Sequence, residues 1–233
     1  MKQTKKNTFT HALSAAFPHT LPVMAGYLVL GIAYGMLMLE KGYGPQWSGL
    51  MSAVAFCGSM QFVAITLLTT AFHPVEALIL SLLVNARHLF YGLSMLGKYN
   101  GFGKIKAFLI YTLSDETFSI VSSVNPPEGV EPKYFYFCIS FLDYLYWVTG
   151  TLLGGIFGGF MPFDMKGLDF ALTALFVVLF IEQMKKKGNW IFGLIGIAFT
   201  LLSRVIFGAE NMVLPALGLI LAVLLAGRKY LCN

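Results

Sequence analysis

The chain has 233 residues, 57% hydrophobic and only 12% charged, with a formal net charge of +5. A soluble domain carries about twice that charged fraction, so the composition excludes a conventional soluble globule and places the chain among integral membrane proteins. The basic residues fall in groups between apolar runs (Lys2, Lys5 and Lys6; Lys98, Lys104 and Lys106; Lys185, Lys186 and Lys187; Arg228 and Lys229), which marks loops facing anionic lipid rather than a continuous basic face for nucleic acid.

Eight apolar segments follow in order: 21–39, 47–72, 74–97, 107–124, 134–160, 167–184, 189–207 and 211–227. The expected fold is therefore an all-α polytopic helical bundle of six to eight membrane segments, one transporter domain over 1–233. The first run lacks a small-x-small cleavage site and is too long for a signal peptide, so it reads as a retained span. Of the three cysteines, Cys57 and Cys138 lie inside apolar runs and Cys232 near the end of the sequence. No pair has metal-site spacing, and small buried side chains are the simplest reading.

Segment 47–72 carries "CGSMQ" (57–61), where Gly58 and Ser59 can break a helix. Broken backbone at membrane depth must be lined by protein or a water cavity. Freed N–H groups there can hold a carboxylate while the Gln61 amide orients it. A Gln61 hydrogen-bonded across helices fits equally well.

Segment 74–97 places Asn85, Arg87 and His88 in its middle. A central arginine costs ~3 kcal/mol to insert, whereas each Leu, Ile or Phe returns ~0.3–0.6 kcal/mol. Such an arginine should face a cavity or an acid. Ser81, Asn85, His88 and Gly92 form one polar stripe, and Arg87 lies about 160° from Asn85 around an ideal helix. Either the helix breaks here or Arg87 serves a second neighbour. It then either ties helices together or lines a path.

Segment 107–124 reads as a crossing helix with Thr112, Glu116, Ser119 and Ser123 on one stripe and Asp115 about 100° away. Buried adjacent carboxylates can carry protons, accept a substrate ammonium, or neutralise Arg87 or Arg204. Asp143, in "FLDYLYW" (141–147), is a third intramembrane acid near interfacial aromatics. Glu76, Glu182 and Lys166 sit near segment ends and snorkel.

Eight full crossings would place Lys98, Lys104 and Lys106 outside, against the positive-inside tendency. If 47–72 and 167–184 are re-entrant, every basic group falls inside and the loop with Glu128 and Glu131 falls outside. Six crossings with re-entrant segments and seven or eight crossings both stay open. Gly31 and Gly35 are matched 119 residues later by Gly150 and Gly154, "SGL" (48–50) by "KGL" (166–168), and "RHLF" (87–90) by "RVIF" (204–207). These matches suggest repeats over about 17–124 and 134–227; three crossings in each would make them inverted.

Together "GSMQF" (58–62), "NARHLFYG" (85–92) and "SDETF" (114–118) resemble the signature of the AzlC family, the large subunit of branched-chain amino-acid exporters. The resemblance covers roughly 17–225. It implies export of leucine, isoleucine, valine or related amino acids across a bacterial cytoplasmic membrane, with a small hydrophobic AzlD-like partner subunit. It points to Gln61, Asn85, Arg87, His88, Asp115 and Glu116 as site residues. Ser59, Asp143 and Arg204 are added from the residues themselves.

The expectation is a secondary transporter with no cofactor, no metal and no enzymatic activity. Proton coupling through His88, Asp115 or Glu116 is open. A channel, or a membrane enzyme with metal on those three residues, is the competing reading, and the ligand set for the latter is poor.

Overall fold

The computed structural model describes residues 5–70, 73–160 and 190–231, with Val177, Phe180, Ile181 and Met184 between them. The chain divides into two compact units, Met1–Asp164 and Met165–Asn233. Among the described residues every regular element is helical. Among the described residues four stretches are long and apolar enough to cross a membrane: Phe9–Glu40, Pro74–Met95, Pro132–Phe160 and Trp190–Gly208. The chain is an all-α membrane protein.

The first unit is built on two long helices, α1 (Lys5–Glu40) and α7 (Pro132–Phe157). They run in the same direction. Phe9 meets Tyr134, Tyr27 meets Trp147, and Gly158 lies beside Met36. Glycines spaced by four on each helix let the backbones touch. A Cβ on Gly31 would lie 3.0 Å from the Trp147 carbonyl and the Thr151 amide; one on Gly150 would lie 3.0 Å from the Leu28 and Tyr27 carbonyls. Gly35 and Gly154 are tighter still, each facing main chain of the other helix. Gly31 and Gly150, matched in sequence, thus meet each other. The segments that carry them are parallel, not inverted as the six-crossing alternative would have them.

From the far end of α1, α2 (Pro45–Ala55) runs back along α7. Pro45 lies at Gly155, Ser52 bonds Thr151, and the turn after α2 places Gly58 under Trp147. There the chain reverses. Phe56 takes a left-handed conformation (φ 37°), and α3 (Gly58–Thr69) returns to the end it came from. The Tyr43 hydroxyl donates to the Leu68 carbonyl at 3.1 Å, closing the hairpin. The break falls at Phe56–Cys57, just before the expected Gly58–Ser59, which instead open α3. Reversal exposes the last α2 carbonyls, which in an apolar medium must find donors. Tyr111 donates to Ala53 O and Val54 O (2.6 and 2.8 Å), and Tyr144 donates to Ala53 O (2.9 Å).

Helix α4 (Pro74–Met95) is unbroken and brings Met95 to the end of the unit where Ala12, Ala16 and Tyr136 pack. The next stretch departs from the sequence reading. Residues 107–124 are not one crossing helix but α5 (Ile105–Tyr111), a turn at Thr112–Ser114, and α6 (Asp115–Ser123). Both outer ends stay beside the end of α4. Lys106 Nζ donates to Leu96 O (3.4 Å), and Lys98 Nζ donates to Val121 O (2.5 Å) while lying 4.9 Å from the centre of the Tyr136 ring. Desolvation holds the Lys98 ammonium below the ordinary lysine pKa.

Because this hairpin doubles back, the loop with Glu128 and Glu131 lies at the Lys98 end, not the opposite end. The charge-based topology failed there by treating 107–124 as a crossing. The break also removes Thr112 from the helical stripe of Glu116, Ser119 and Ser123.

In the second unit, α8 (Trp190–Asn211), interrupted at Gly208 (φ 79°), packs against α9 (Val213–Leu231). Most of 167–184, with Lys166, the lysines at 185–187 and Cys232, lies outside the described residues.

Candidate functional site

The two hairpins enter the first unit from opposite ends and meet at their turns. Tyr111, the last residue of α5, bonds the last turn of α2. Beside it, Arg87 of α4 joins the helices that leave the two turns. Its Nη1 is 2.6 Å from Asp115 Oδ2, at the first residue of α6. Its Nη2 donates to Ser59 Oγ at 2.7 Å, at the second residue of α3. The planar guanidinium can hold two acceptors in a fixed fork, which a lysine cannot. Of the two alternatives for Arg87, α4 stays regular and the arginine serves a neighbour on a different face from Asn85.

Local sequence explains why Asp115 and Glu116 sit here. Ser114 caps α6 by accepting from the Thr117 amide (3.1 Å), and acids in the first turn oppose the helix dipole favourably. The Arg87 and Asp115 side chains are 36% and 21% exposed, so the pair is partly open. Arg87 Nε and Asp115 Oδ1 have no hydrogen-bond partner.

A second polar line runs from the same turn to α7. The Tyr27 hydroxyl lies 2.7 Å from Glu116 Oε2 and 2.6 Å from Ser114 Oγ. Ser114 Oγ is 3.0 Å from Thr117 Oγ1, which donates to Asp143 Oδ2 at 2.8 Å. Asp143 is fully buried, and its Oδ1 has no partner.

Gln61 belongs to a third, closed network. Its Oε1 accepts from Trp147 Nε1 and its Nε2 donates to Ser52 Oγ, both at 2.8 Å; Ser52 in turn bonds Thr151. Fully buried and satisfied, Gln61 braces the first hairpin on α7, the cross-helix role that the sequence left open for it. Asn85 and His88 do not join Arg87. Asn85 Oδ1 and His88 Nδ1 are buried without partners on the other stripe of α4, with the His88 ring edge-on to Tyr91. Arg204 lies exposed on α8 in the second unit. Among the described residues no group of three or more His, Cys, Asp or Glu side chains gathers to hold a metal.

The sequence reading missed Tyr27, Thr117, Tyr111, Tyr144 and Trp147. One signal was available: "SDET" (114–117) is a serine cap followed by two acids, a helix start inside an apolar run. The tyrosine partners lie tens of residues away and leave no local mark.

A family model described as AzlC protein matches residues 22–161, which hold every residue of the Arg87, Gln61 and Asp143 networks. The chain belongs to the AzlC family. It is 46% identical over 97% of its length to the Branched-chain amino acid transport protein AzlC of Bacillus subtilis, covering 89% of that protein. It is 40% identical to an uncharacterized membrane protein of Helicobacter pylori (96% and 98% of the two chains) and 25% identical to the Inner membrane protein YgaZ of Escherichia coli (72% and 71%). No solved structure matches. These relatives and the apolar helices make this AzlC chain a multi-pass protein of a bacterial membrane. Arg204 falls outside the matched residues.

Proposed function

We propose that this chain is a secondary carrier, not an enzyme, that exports branched-chain or related aliphatic amino acids across the cytoplasmic membrane with a small AzlD-like subunit. The observation that carries the reading is the Arg87–Asp115 pair at the meeting point of two helical hairpins. An amino acid is a zwitterion. Inserted between the two side chains, it offers its carboxylate to Arg87 and its ammonium to Asp115. One ion pair becomes two, and the net charge of the half-buried site is unchanged, so the main electrostatic cost of bringing a charged solute to membrane depth is avoided. Ser59 and the first amides of α3 add donors for the carboxylate. Gln61 keeps that hairpin in place.

The name of the Bacillus relative supports the substrate class. The hairpin geometry supports a topology in which α1, α4, α7 and α8 cross and the α2–α3 and α5–α6 hairpins are re-entrant from opposite sides. Lys98, Lys104, Lys106 and the start of α1 then share the cytoplasmic side, in keeping with the positive-inside tendency. The offset that pairs Arg87 with Arg204, two residues shorter than the one that pairs Gly31 with Gly150, lays α4 over α8, both of 22 residues. This supports parallel repeats within one transport domain, with Arg204 as the counterpart of Arg87.

The test is release of labelled leucine, isoleucine, valine and methionine from preloaded cells carrying this chain and its AzlD-like subunit. Faster release than from empty cells, lost with Arg87→Ala at equal membrane expression, is expected. No difference for any of the four overturns the substrate assignment.

A further inference from the structure

Among the described residues Asp115 has a cation partner, and Glu116 and Asp143 have none. They are joined instead by an unbroken line of three hydroxyls. Glu116 Oε2 is 2.7 Å from Tyr27 Oη, Tyr27 Oη 2.6 Å from Ser114 Oγ, Ser114 Oγ 3.0 Å from Thr117 Oγ1, and Thr117 Oγ1 2.8 Å from Asp143 Oδ2.

We infer that Glu116 and Asp143 hold one proton between them through Tyr27, Ser114 and Thr117, and that this shared proton is the ion coupled to transport. The coupling rests on the carrier reading above; the shared proton does not.

Two carboxylates without a cation would leave a negative charge on fully buried Asp143 at one end of the line and a second on half-buried Glu116 at the other, and two carboxylic acids would leave a line of hydroxyls with no charged acceptor at either end. One proton avoids both. The hydroxyls let it change ends. A proton leaving Asp143 Oδ2 goes to Thr117 Oγ1. The proton Thr117 held passes to Ser114, that of Ser114 to Tyr27, and that of Tyr27 to Glu116 Oε2. Each hydroxyl ends neutral with its O–H reversed, and one positive charge has moved from α7 to the first turn of α6.

The titratable groups that face Asp143 are Glu116 from α6 and Tyr27 from α1. The other elements on α7 turn their polar groups elsewhere: Ser52 of α2 to Gln61 and Thr151, and Tyr111 of α5 to the Ala53 and Val54 carbonyls. The unpartnered, fully buried Asp143 Oδ1 is the remaining acceptor of this site. Glu116 neighbours Asp115 in sequence, so the charge that reaches it sits next to the proposed substrate pair. A charged Glu116 attracts an ammonium drawn to Asp115, and protonation removes that attraction, which links substrate release to proton position.

The test uses the purified full chain with its AzlD-like subunit in lipid. Infrared difference titration is expected to show one protonated carboxyl band in the wild type that is lost in Asp143→Asn and shifted or lost in Glu116→Gln. Tyr27→Phe, which keeps both acids but cuts the line, should separate the one titration into two. In proteoliposomes an imposed pH gradient should change leucine efflux by the wild type and no longer change it in Asp143→Asn or Tyr27→Phe. No protonated carboxyl, or two that titrate independently in the wild type, overturns the shared proton. An unchanged gradient response in Asp143→Asn overturns the coupling. Absence of any amino-acid flux in the wild type would defeat the carrier reading and the coupling together, and leave the infrared result to decide the shared proton alone.

Discussion

Arg87 Nη1 and Asp115 Oδ2 meet at 2.6 Å, although one lies in the middle of an unbroken helix and the other opens a helix that begins at the turn of a hairpin. The contact exists because α6 starts where it does. Had 107–124 continued as one helix, Asp115 would have been an ordinary interior position. The guanidinium fork also needs Ser59, so it reads two helix starts at once. Arg87→Lys should therefore fail even though charge is kept, because one ammonium cannot span both acceptors in that geometry. Efflux is expected to fall at least about tenfold, equivalent to ~1.4 kcal/mol, in Arg87→Lys and in Asp115→Asn. Initial rates at matched membrane expression check this; a lysine variant with wild-type rate would remove the fork from the mechanism.

The hairpin course of α5 and α6 makes a sidedness prediction that differs from the charge-based one. In a background with Cys57, Cys138 and Cys232 replaced, Lys104→Cys and Glu128→Cys should react with an impermeant thiol reagent from the same side, and Lys41→Cys from the other. Labelling of positions 104 and 128 from opposite sides would show that α5–α6 crosses.

The α1–α7 crossing should tolerate nothing larger than hydrogen at its centre. A Cβ on Gly35 would meet the Thr151 carbonyl and lie 2.6 Å from the Gly155 amide, all main chain, whereas one on Gly26 meets nothing within 4 Å. Overpacking costs ~1–3 kcal/mol where side chains can shift, and two helix backbones cannot. Gly35→Ala is expected to lower the midpoint of thermal unfolding in detergent and to reduce the folded yield, with Gly26→Ala near wild type. Equal behaviour of the two would contradict the close crossing.

Lys98 closes the second hairpin by donating to the Val121 carbonyl while lying over Tyr136. Lys98→Met keeps the apolar stem and removes the donor. The expected loss is ~1–2 kcal/mol, from a charge-assisted hydrogen bond to a helix end. It should show as faster amide hydrogen exchange at 121–124, with little change in α1. Protection that is unchanged there would make Lys98 a surface residue only.

Trp147→Phe isolates the Gln61 brace. It leaves Gln61 Oε1 buried without its donor, an expected cost of ~1–3 kcal/mol. The effect should be seen in thermal stability first, with substrate preference unchanged. A shift in preference without loss of stability would place Gln61 at the substrate rather than behind it.

Much of this was readable from the chain alone. Low charge and long apolar runs required a helical membrane protein, because lipid leaves the backbone no other partners. Arg87 had to find an acid, because a lone guanidinium in an apolar segment is too costly, and the adjacent acids Asp115 and Glu116 inside the next apolar run were the right place to look. The glycines at 31, 35, 150 and 154 stood out in the chain as matched pairs, and packing made of them a close helix crossing. Tertiary structure decided the rest. The Ser114 cap marks a helix start locally, but whether 107–124 crosses or turns back also depends on Tyr111 and Lys98 satisfying backbone groups on elements tens of residues away, and no local pattern encodes that. Asp143 looked like an interfacial acid by its aromatic neighbours, yet packing buries it and joins it by hydroxyls to Glu116. Gln61 resembled a ligand-orienting amide, yet Trp147 and Ser52 satisfy its side chain. A sequence specifies which groups need partners; only the packed fold determines which partner each one gets, because hydrogen bonds and ion pairs act over a few ångströms and the chain brings those few ångströms together last.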